Sequence, residues 1–498
     1  MIATKPDTKE LELYFNKYRQ HIIGIDETFE SPYNPKQKIV YADWTASGRL
    51  YRPIEEFLIR EIYPFAGNTH TETNITGKGM TLAYHKALNT IKQHVHAGSE
   101  DLIFSSHSGM TGVVNKFQRM LGLKIHEKFK ELIHLKEDDR PIVFITHMEH
   151  HSNQTSWLET IADTEIIPPD DHGLVDLEQF RLLLTKHQNR KTKFASVTAC
   201  SNVTGIFTPY HQIAEMMHHA GGYCFVDFAC AAPYVDINMH PGNPLQRLDA
   251  IYFSPHKFLG GPGTTGIMIF NKNLYHNTIP DEPGGGTVDW TNPWGGRKYV
   301  DDIEAREDGG TPAFLQTIKA ALCIRLKEEM GVRNLLNREK EQLAFLWQHL
   351  VKIPNLHILA ENTKDRLCIL SFYIDGLHYN LGVKLLNDRF GIQVRGGCSC
   401  AGTYGHYLLH VQPEYSKKIT DLINHGDYSE KPGWIRLSVH PTSTDEELNY
   451  IAESISALAQ HFKKWSADYK TDHKINYIEF HDPDQDNFIG RKVNEWFA

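Results

Sequence analysis

The chain has 498 residues and a net charge of −9, so its length predicts two large lobes and its charge gives no sign of a nucleic-acid partner. No apolar run approaches the roughly 20 residues that span a bilayer, and the polar first ten residues lack the core of a signal peptide. Seven scattered cysteines do not form the pattern of a disulfide framework. We therefore expect a cytoplasmic protein without a membrane partner.

An amphipathic pattern predicts a first helix over 9–23, and a second helix follows a polar loop at about 80–96. Short apolar strands then alternate with amphipathic helices. The strands are predicted at 102–105, 142–146, 165–167, 194–198, 222–228 and 250–253, with helices at 113–121, 177–187 and 212–219. This alternation is typical of an α/β fold with a mostly parallel sheet covered on both faces. Ligands bind beyond the carboxyl ends of such strands, where polar loops occur in this sequence.

The second half of the chain predicts a smaller α+β domain. A long helical region at about 314–353 precedes strands near 368–374, 393–395 and 434–439, and Thr444 with Glu447 forms a capping box. The charged segment 123–140 is helix-like and indicates a surface excursion. The predicted organisation is an N-terminal helical segment packing on the small domain (1–35), a large domain (36–312), a small C-terminal domain (313–470) and a tail (471–498).

Lys257 is the first candidate catalytic residue. It follows the apolar run 250–253 in the sequence Ser-Pro-His-Lys, and a glycine-rich turn comes next. The pKa of a lysine falls readily when its amine is desolvated, so lysine suits imine chemistry with an aldehyde cofactor. The alternative is a solvated lysine in a strand-ending turn.

An aldehyde cofactor with a pyridine ring and a phosphate needs further partners. Asp227 interrupts the apolar strand 222–228, where an unpaired carboxylate would be costly, so it should meet a cation such as a protonated ring nitrogen. The turn Ser108-Gly109-Met110-Thr111 lies between a strand and a helix, where backbone N–H groups converge on an anion. Ser254 and His256 flank the lysine and supply further donors.

His150 is a candidate for stacking on the cofactor ring and for proton transfer. It belongs to a cluster with His147 and His151, but this cluster lacks the His-Glu-x-x-His register and a third ligand. We therefore predict no metal.

Two stretches of the C-terminal half also carry candidate residues. Cys398 and Cys400 lie in a glycine-rich loop after a strand, where a partly exposed thiolate can react, although most loop cysteines are inert. Arg436 lies within an apolar strand. Its guanidinium suits a substrate carboxylate, or alternatively bridges to an acidic side chain.

Together these residues resemble the cysteine desulfurase family, class-V aminotransferase-type enzymes that use pyridoxal 5'-phosphate, and the group that includes selenocysteine lyases. The resemblance covers about 41–459. It rests on the motifs Tyr41-x-Asp-x-x-Ala46, Ser-Gly-Met-Thr111, Met148-Glu-His-His-Ser-Asn153, Ser201-Asn-Val-x-Gly205, Val226-Asp-x-Ala229, Ser254-Pro-His-Lys257 and Arg395-x-Gly-x-x-Cys400.

The resemblance implies the fold type I of pyridoxal-phosphate-dependent transferases and a role for each matching residue. Lys257 would hold the cofactor and move the Cα proton, and Cys400 would accept sulfur, with Cys398 as an alternative or resolving partner. The implied cofactor-binding residues are Lys257, Asp227, His150, Ala229, Asn202, Gly109, Met110, Thr111, Ser254, His256 and, across a dimer interface, Thr311. The implied substrate-binding residues are Arg436, Ala46, His70 and Asn202. A homodimer and a sulfur-acceptor protein are the implied partners.

The sequence departs from the family pattern in several places. Cys230 stands where the family commonly has a glutamine three residues after the ring aspartate. Met110 follows the first glycine of the phosphate turn, and no glutamate follows Thr111. The Cys-x-Cys loop is similar to that of molybdenum-cofactor sulfurases.

Three hypotheses follow from these observations. The first is a cysteine desulfurase that converts L-cysteine to L-alanine and leaves a persulfide on the enzyme. The second, favoured by Cys230 and the unusual loop, is a class-V aminotransferase, epimerase or lyase acting on another amino acid. The third is a protein that keeps the fold only as a scaffold, against which the complete set of lysine, aspartate, histidine and arginine argues.

Overall fold

A computed structural model of the protein describes residues 8–69, 71, 73–483 and 486–498. The chain divides into two compact units. The large unit comprises Ser47–Ser201 and Phe207–Val332, and the small unit comprises Met1–Ala46, Asn202–Ile206 and Arg333–Ala498.

Helices and strands alternate through most of the described chain. In chain order the α-helices are α1 (Thr8–Arg19), α2 (Arg52–Phe57), α3 (Ile75–His94), α4 (Gly109–Met120), α5 (His151–Leu158), α6 (Leu177–Lys186), α7 (Tyr210–His219), α8 (Ile303–Glu307), α9 (Phe314–Met330), α10 (Val332–Leu350), α11 (Tyr379–Phe390), α12 (Gly402–Leu408), α13 (Pro413–Asn424), α14 (Asp445–Trp465) and α15 (Phe488–Trp496). The strands are β1 (Thr28–Phe29), β2 (Gln37–Lys38), β3 (Val40–Tyr41), β4 (Asp101–Ser106), β5 (Ile142–Thr146), β6 (Asp163–Ile167), β7 (Lys193–Thr198), β8 (Tyr223–Asp227), β9 (Ala250–Phe253), β10 (Gly266–Asn271), β11 (Val288–Thr291), β12 (Arg297–Tyr299), β13 (Leu356–Ile358), β14 (Ile369–Ile374), β15 (Ile392–Gln393), β16 (Arg395–Gly397), β17 (Trp434–Ser438), β18 (Tyr469–Asp472) and β19 (Tyr477–Phe480).

The large unit is built on a seven-stranded sheet with the order β4-β10-β9-β8-β7-β5-β6. The pairs β5–β6, β5–β7, β7–β8 and β8–β9 are parallel, whereas β10 is antiparallel to both β4 and β9. Helix α4 packs on β4, β9 and β10, and α7 packs on β7 and β8. The predicted α/β fold with a mostly parallel sheet is confirmed, although β10 is absent from the predicted strands.

The central strands read as continuous apolar runs because both faces of the sheet are covered. β5 is buried along its whole length, and so are β7 and β9. Polar residues therefore collect where these strands end, as the sequence predicts. β4 runs parallel in direction to β9 across the intervening β10, so the carboxyl ends of β4, β8 and β9 meet at one edge.

The small unit has an antiparallel sheet with the order β13-β14-β17-β16. Helix α11 packs on β16 and β17 and also against α14. The hydrophobic core of the small unit includes Leu346, Phe372 and Ile455. At the start of α14, Thr444 Oγ1 accepts from Glu447 N at 3.1 Å, as predicted, while the Glu447 carboxylate pairs with Arg19 at 2.9 Å.

Two predicted elements differ from the structure. The helical region predicted over 314–353 is two helices, because Gly331 has a positive φ of 78° between α9 and α10 and interrupts the helical hydrogen bonds. The helix-like segment 123–140 forms only 3-10 turns at Glu127–Leu132 and Glu137–Asp139. Phe129 and Leu132 of this segment remain exposed, so it gains little of the apolar burial that stabilises a longer helix.

Candidate active site

Lys257 and Asp227 lie at the same edge of the large unit's sheet. β9 ends at Phe253, and a 3-10 turn over Pro255–Lys257 follows directly, leaving Lys257 half-buried. β8 ends at Asp227, which pairs in register with Tyr252 of the parallel neighbour β9. The fold therefore brings the two residues together, as the sequence predicts.

Asp227 is a buried carboxyl, and its Oδ1 accepts from Ala229 N at 2.7 Å. Burial raises its pKa from 3.8 to about 6, and the Ala229 amide and the ammonium of Lys257 oppose that shift. A carboxyl in this setting favours a second cation or N–H donor beside it.

A second buried carboxyl, Glu149, lies close to Asp227. Its Oε1 accepts from Thr146 N at 3.2 Å, Thr146 Oγ1 at 2.6 Å and Thr198 N at 2.9 Å. Its Oε2 accepts from Asn153 Nδ2 at 2.7 Å. Burial raises the pKa of Glu149 to about 7, its hydrogen bonds lower it, and the Asp227 charge raises it further. Glu149 thus fastens the ends of β5 and β7 together beneath Asp227.

The network continues through Asn153 to Tyr252. Asn153 Oδ1 accepts from Ser196 Oγ at 2.6 Å and from Tyr252 Oη at 2.9 Å, and Ser196 and Tyr252 also share a short hydrogen bond. Asn153 of α5 and the strand residues Ser196 and Tyr252 are all buried, so this satisfied network makes the surroundings of Glu149 and Asp227 rigid. The sequence analysis gave Glu149 no role; a glutamate three residues after the buried strand β5 was the available signal.

The turn at the start of α4 lies against the residues that flank Lys257. Met110 N donates to Ser254 Oγ at 2.9 Å, and Gly109 has a positive φ of 61°. A Cβ on Gly266 would lie 2.1 Å from the Gly109 carbonyl oxygen, so β10 passes too close to the turn for any side chain. The predicted grouping of Gly109, Met110 and Ser254 is present, at a helix N-terminus suited to an anion.

Three further predicted residues of the large unit are Thr111, His150 and His256. Thr111 Oγ1 lies 2.7 Å from Ser152 Oγ, and His150 Nδ1 accepts from Ser152 N at 3.1 Å. His150 therefore caps α5, and its ring is half-buried. Burial and the Lys257 charge lower the pKa of His256 to about 4, which favours its neutral form.

Ala229, Cys230 and Thr311 occupy different settings in the large unit. Ala229 is buried next to Asp227, and the buried Cys230 thiol donates to the Ser201 carbonyl at 3.8 Å. This hydrogen bond fixes the Cys230 side chain. Cys230 occupies the sequence position at which the family commonly has a glutamine. Thr311 is exposed on the loop before α9.

Arg436 lies in β17 of the small unit and is buried. Its Nη2 donates to Asp43 Oδ1 at 2.6 Å and its Nη1 donates to the Asn202 carbonyl at 3.1 Å. The alternative raised by the sequence, a bridge to an acidic side chain, is therefore present. The Nε atom of Arg436 and the Oδ1 atom of Asn202 are buried without a hydrogen-bond partner in the described part of the chain.

The loop with the two cysteines follows β16 in the same unit. Ser399 is buried between them, where its Oγ accepts from Trp434 Nε1 at 3.2 Å and its carbonyl accepts from Asn202 Nδ2 at 2.7 Å. Cys398 and Cys400 are half-buried, and Arg395 Nη2 lies 3.9 Å from Cys400 Sγ.

The backbone of this loop is strained. Ser399 and Cys400 have consecutive positive φ values of 51° and 58°, which cost on the order of 1–3 kcal/mol each for residues with a Cβ. The hydrogen bonds to Ser399 hold this conformation. This conformation places Cys398 and Cys400 on either side of Ser399, which its hydrogen bonds hold in place.

Ala46 and His70 are the remaining predicted substrate-binding residues. Ala46 is half-buried, and its amide donates to the Asp43 carbonyl at 2.9 Å. His70 lies outside the described residues.

Lys327 in α9 is a buried basic residue that the sequence analysis missed. Burial lowers its pKa to about 7, and its amine contacts His94 Nε2 at 3.1 Å and donates to the Val235 carbonyl at 2.5 Å. A lysine buried this deeply within an amphipathic helix gives no distinct sequence signal. Its amine is therefore a second candidate for imine chemistry in the large unit.

A family model for aminotransferase class-V matches residues 40–451. The chain belongs to the class-V aminotransferase family. Within this family, its similarity to named proteins is modest but extends over most of the length. A probable cysteine desulfurase of Synechocystis is 26% identical over 432 residues, which cover 85% of this chain and 92% of that protein. A cysteine desulfurase of Haloferax volcanii is 24% identical, with coverage of 78% and 89%.

Solved structures support the fold of this member of the family. The cysteine desulfurase CsdA of Escherichia coli, in an S-sulfonic acid form, matches with a TM-score of 0.69 at 19% identity, covering 90% of this chain and 98% of that one. The apo cysteine desulfurase of Thermococcus onnurineus matches with a TM-score of 0.67 at 21% identity, covering 85% and 95%. The fold implied by the resemblance is confirmed.

Among the described residues, no three His, Cys, Asp or Glu side chains are grouped to hold a metal ion. None of the described helices is both long and apolar enough to cross a bilayer.

Proposed function

We propose that the chain is a cysteine desulfurase that uses pyridoxal 5'-phosphate to convert L-cysteine to L-alanine, with a persulfide formed on Cys400. The observation that carries the proposal is the half-buried Cys400 thiol held beside Arg395 in a chain of this family. Similarity to proteins named cysteine desulfurase over most of the chain supports the same activity.

The residues of the large unit fit the proposed cofactor. Asp227 offers a buried carboxylate to a protonated ring nitrogen, and Lys257 offers an amine to the aldehyde. The α4 turn offers its amides and Thr111 to the phosphate. Gly266 lets β10 pack directly against this turn, because a Cβ there would collide with Gly109. His150 and Ala229 would hold the two faces of the ring.

When bound, the cofactor would supply an electron sink for the electrons left on Cα after its proton is removed. The amine of Lys257 would take that proton as a general base. Asp227 would stay ionised beside the ring N–H and keep the ring electron-poor. Glu149 and its four donors would hold the strand ends on which Asp227 depends.

Cys400 would be the group that receives sulfur. A thiolate at Cys400 would attack the substrate sulfur, forming an S–S bond as the C–S bond breaks, with the electron pair passing to the carbon that becomes the alanine methyl group. Arg395 would stabilise the thiolate charge. Arg436 would bind the substrate carboxylate and Asn202 the side of its amine, using the buried Nε and Oδ1 atoms, which have no hydrogen-bond partner among the described residues.

The proposal also includes the finer assignments implied by the family. A homodimer would bring Thr311, which is exposed, to the phosphate of the neighbouring copy. A sulfur-acceptor protein would then remove the persulfide sulfur, and the reaction would take place in the cytoplasm.

The test is alanine formation from cysteine together with peptide mass spectrometry of the two loop cysteines. Loss of the Cys400 thiol (C400A) should abolish sulfide release and the persulfide while the cofactor absorbance persists. Cys398→Ala is the matched control and should retain a persulfide on Cys400. Unaltered alanine production by C400A would refute the role of Cys400.

A second candidate function rests on Cys230. Its thiol donates to a backbone carbonyl, so it offers the cofactor ring a different partner from the glutamine commonly found there. A class-V aminotransferase, epimerase or lyase acting on another amino acid would then be the activity. A panel of amino acids, followed by the shift of the cofactor absorbance band, separates the candidates, since only the desulfurase requires cysteine.

A further inference from the structure

The C-terminal hairpin β18–β19 lies beyond residues 40–451, the part of the chain that the family model matches. Its base is anchored in the core of the small unit. Tyr469 and Phe480 are buried there with ring centroids 5.5 Å apart, and Tyr469 Oη donates to Asp388 Oδ2 at 2.9 Å. The hairpin is thus part of the folded unit.

The turn of this hairpin reaches the first residue of α11. Asn476, with a positive φ of 57°, closes the turn, and its Nδ2 donates to Tyr379 Oη at 3.3 Å while its Oδ1 lies 3.4 Å from the same hydroxyl. The His473 ring lies 4.8 Å from the His378 ring. Lys474 O accepts from Tyr428 N at 2.6 Å, so the turn also holds the segment that leads into β17.

Tyr379 in turn lies on the backbone of the cysteine loop. A Cβ on Gly396 would come within 3.1 Å of the Tyr379 ring, one on Gly397 within 3.7 Å and one on Gly433 within 2.6 Å. The clash at Gly433 and the tight approach at Gly396 show that the ring packs directly against β16, which precedes Cys398, and against the residue before the neighbouring strand β17. Tyr379 is buried, and Cys398 is near enough to influence its hydroxyl electrostatically.

The loop is therefore held at two points. Asn202 and Trp434 fix Ser399, and Tyr379 packs on the glycines that precede Cys398. The strained φ values of Ser399 and Cys400 require such support, because a loop released from it would relax to ordinary conformations. The second point of support depends on the hairpin.

We propose that the hairpin β18–β19 is a positioning element for the loop 395–401, acting through the contact between Asn476 and Tyr379. The proposal deepens the proposed function and rests on it for its catalytic meaning: the hairpin keeps the sulfur-accepting thiol in its reactive position. Asn476 and Tyr379 act through the loop and are positioning residues.

The test measures how fast each loop cysteine is alkylated by iodoacetamide in the full-length protein without substrate. Asn476→Gly keeps the positive φ and deletes the amide, and Tyr379→Phe deletes the hydroxyl and keeps the ring. Each should raise the alkylation rate at Cys398 and Cys400 about fivefold, because a loop that loses one supporting hydrogen bond leaves its half-buried position more often. The factor corresponds to the free energy of one hydrogen bond. The double variant should exceed neither single one, because both remove the same contact.

Two control variants separate positioning from general destabilisation. Asn476→Asp retains an acceptor for Tyr379 Oη and should stay within about twofold of the unaltered protein, a range smaller than the loss of one hydrogen bond. Arg491→Gln removes a tail ion pair with Glu30 and should leave the rates unchanged. The midpoint of thermal unfolding, measured on each variant, shows whether the fold is kept.

Equal alkylation rates in the unaltered protein, N476G and Y379F would overturn the proposal. So would a rate increase of the same size in N476D or R491Q, since it would not depend on the contact. Alanine formation is measured separately and should show a lower kcat with an unchanged KM in N476G. If no variant or unaltered protein forms alanine, the proposed function fails, while the alkylation rates still decide the role of the hairpin.

Discussion

Asp227 ends β8, and Lys257 lies in the turn that follows the adjacent parallel strand β9, close enough for its ammonium to lower the pKa of the Asp227 carboxyl. Burial acts in the opposite direction and prevails, so the pKa of Asp227 rises to about 6. A buried acid and an amine in this relationship are arranged for a ligand that carries a cation toward the acid and a carbonyl toward the amine.

Asp227→Asn should lower kcat by about 10²- to 10³-fold, the usual loss when one preorganised electrostatic partner is removed. The amide oxygen can still accept from Ala229 N, so the fold should persist. Steady-state kinetics on the holoprotein give the measurement. Asp249→Asn is the control, because Asp249 is also a buried aspartate but immediately precedes the first residue of β9, at the other end of the strand from Lys257. Equal losses of kcat in both variants would contradict a specific role for Asp227.

Glu149→Gln should change how the stability of the cofactor-free protein depends on pH. The pKa of Glu149 is raised from 4.5 to about 7 by burial, so the folded state holds a proton that the unfolded state has lost between these values. The unaltered protein should therefore lose about 3 kcal/mol relative to the variant as the pH rises from 4.5 to 7.

Urea unfolding at a series of pH values measures this difference in the free energy of unfolding. Glu178→Gln, at an exposed ion pair with Arg181, should give a flat difference across the same range. A flat difference for E149Q as well would mean that burial does not shift the Glu149 pKa.

Arg436→Lys should raise the KM for cysteine about 10- to 100-fold, the value of a charge-assisted hydrogen bond lost from the carboxylate site. Asp43 holds the same guanidinium at 2.6 Å, so Asp43→Asn should lower the KM by removing a competitor for it. Opposite changes in KM support a substrate site. If both variants only lower the unfolding midpoint and leave KM unaltered, the pair is structural.

The sequence predicts the parallel part of the large unit's sheet well, because buried strands such as 142–146 and 250–253 are continuous apolar runs between clear turn signals. β10 is as apolar as these strands, yet only pairing decides that it runs antiparallel between β4 and β9. The break at Gly331 depends on a local positive φ that helix periodicity does not register.

Some residues of the candidate site could likewise be predicted from the sequence, and others could not. Lys257 and Asp227 stand out because a charged residue interrupts an apolar strand or ends it, and strand adjacency then brings them together. Glu149, the Asp43–Arg436 pair and the Asn476–Tyr379 contact depend on which distant segments fold against each other. No spacing within the sequence encodes those contacts.

The most direct measurement is reductive trapping of the holoprotein with borohydride, followed by peptide mass spectrometry to locate the lysine that carries the pyridoxyl group. We predict that Lys257 carries it and that Lys257→Ala neither retains the group nor forms alanine. Lys327, whose pKa burial lowers to about 7, is the competing amine of the large unit. A pyridoxyl group on Lys327, or on no lysine, would contradict the assignment of Lys257 and the function built on it.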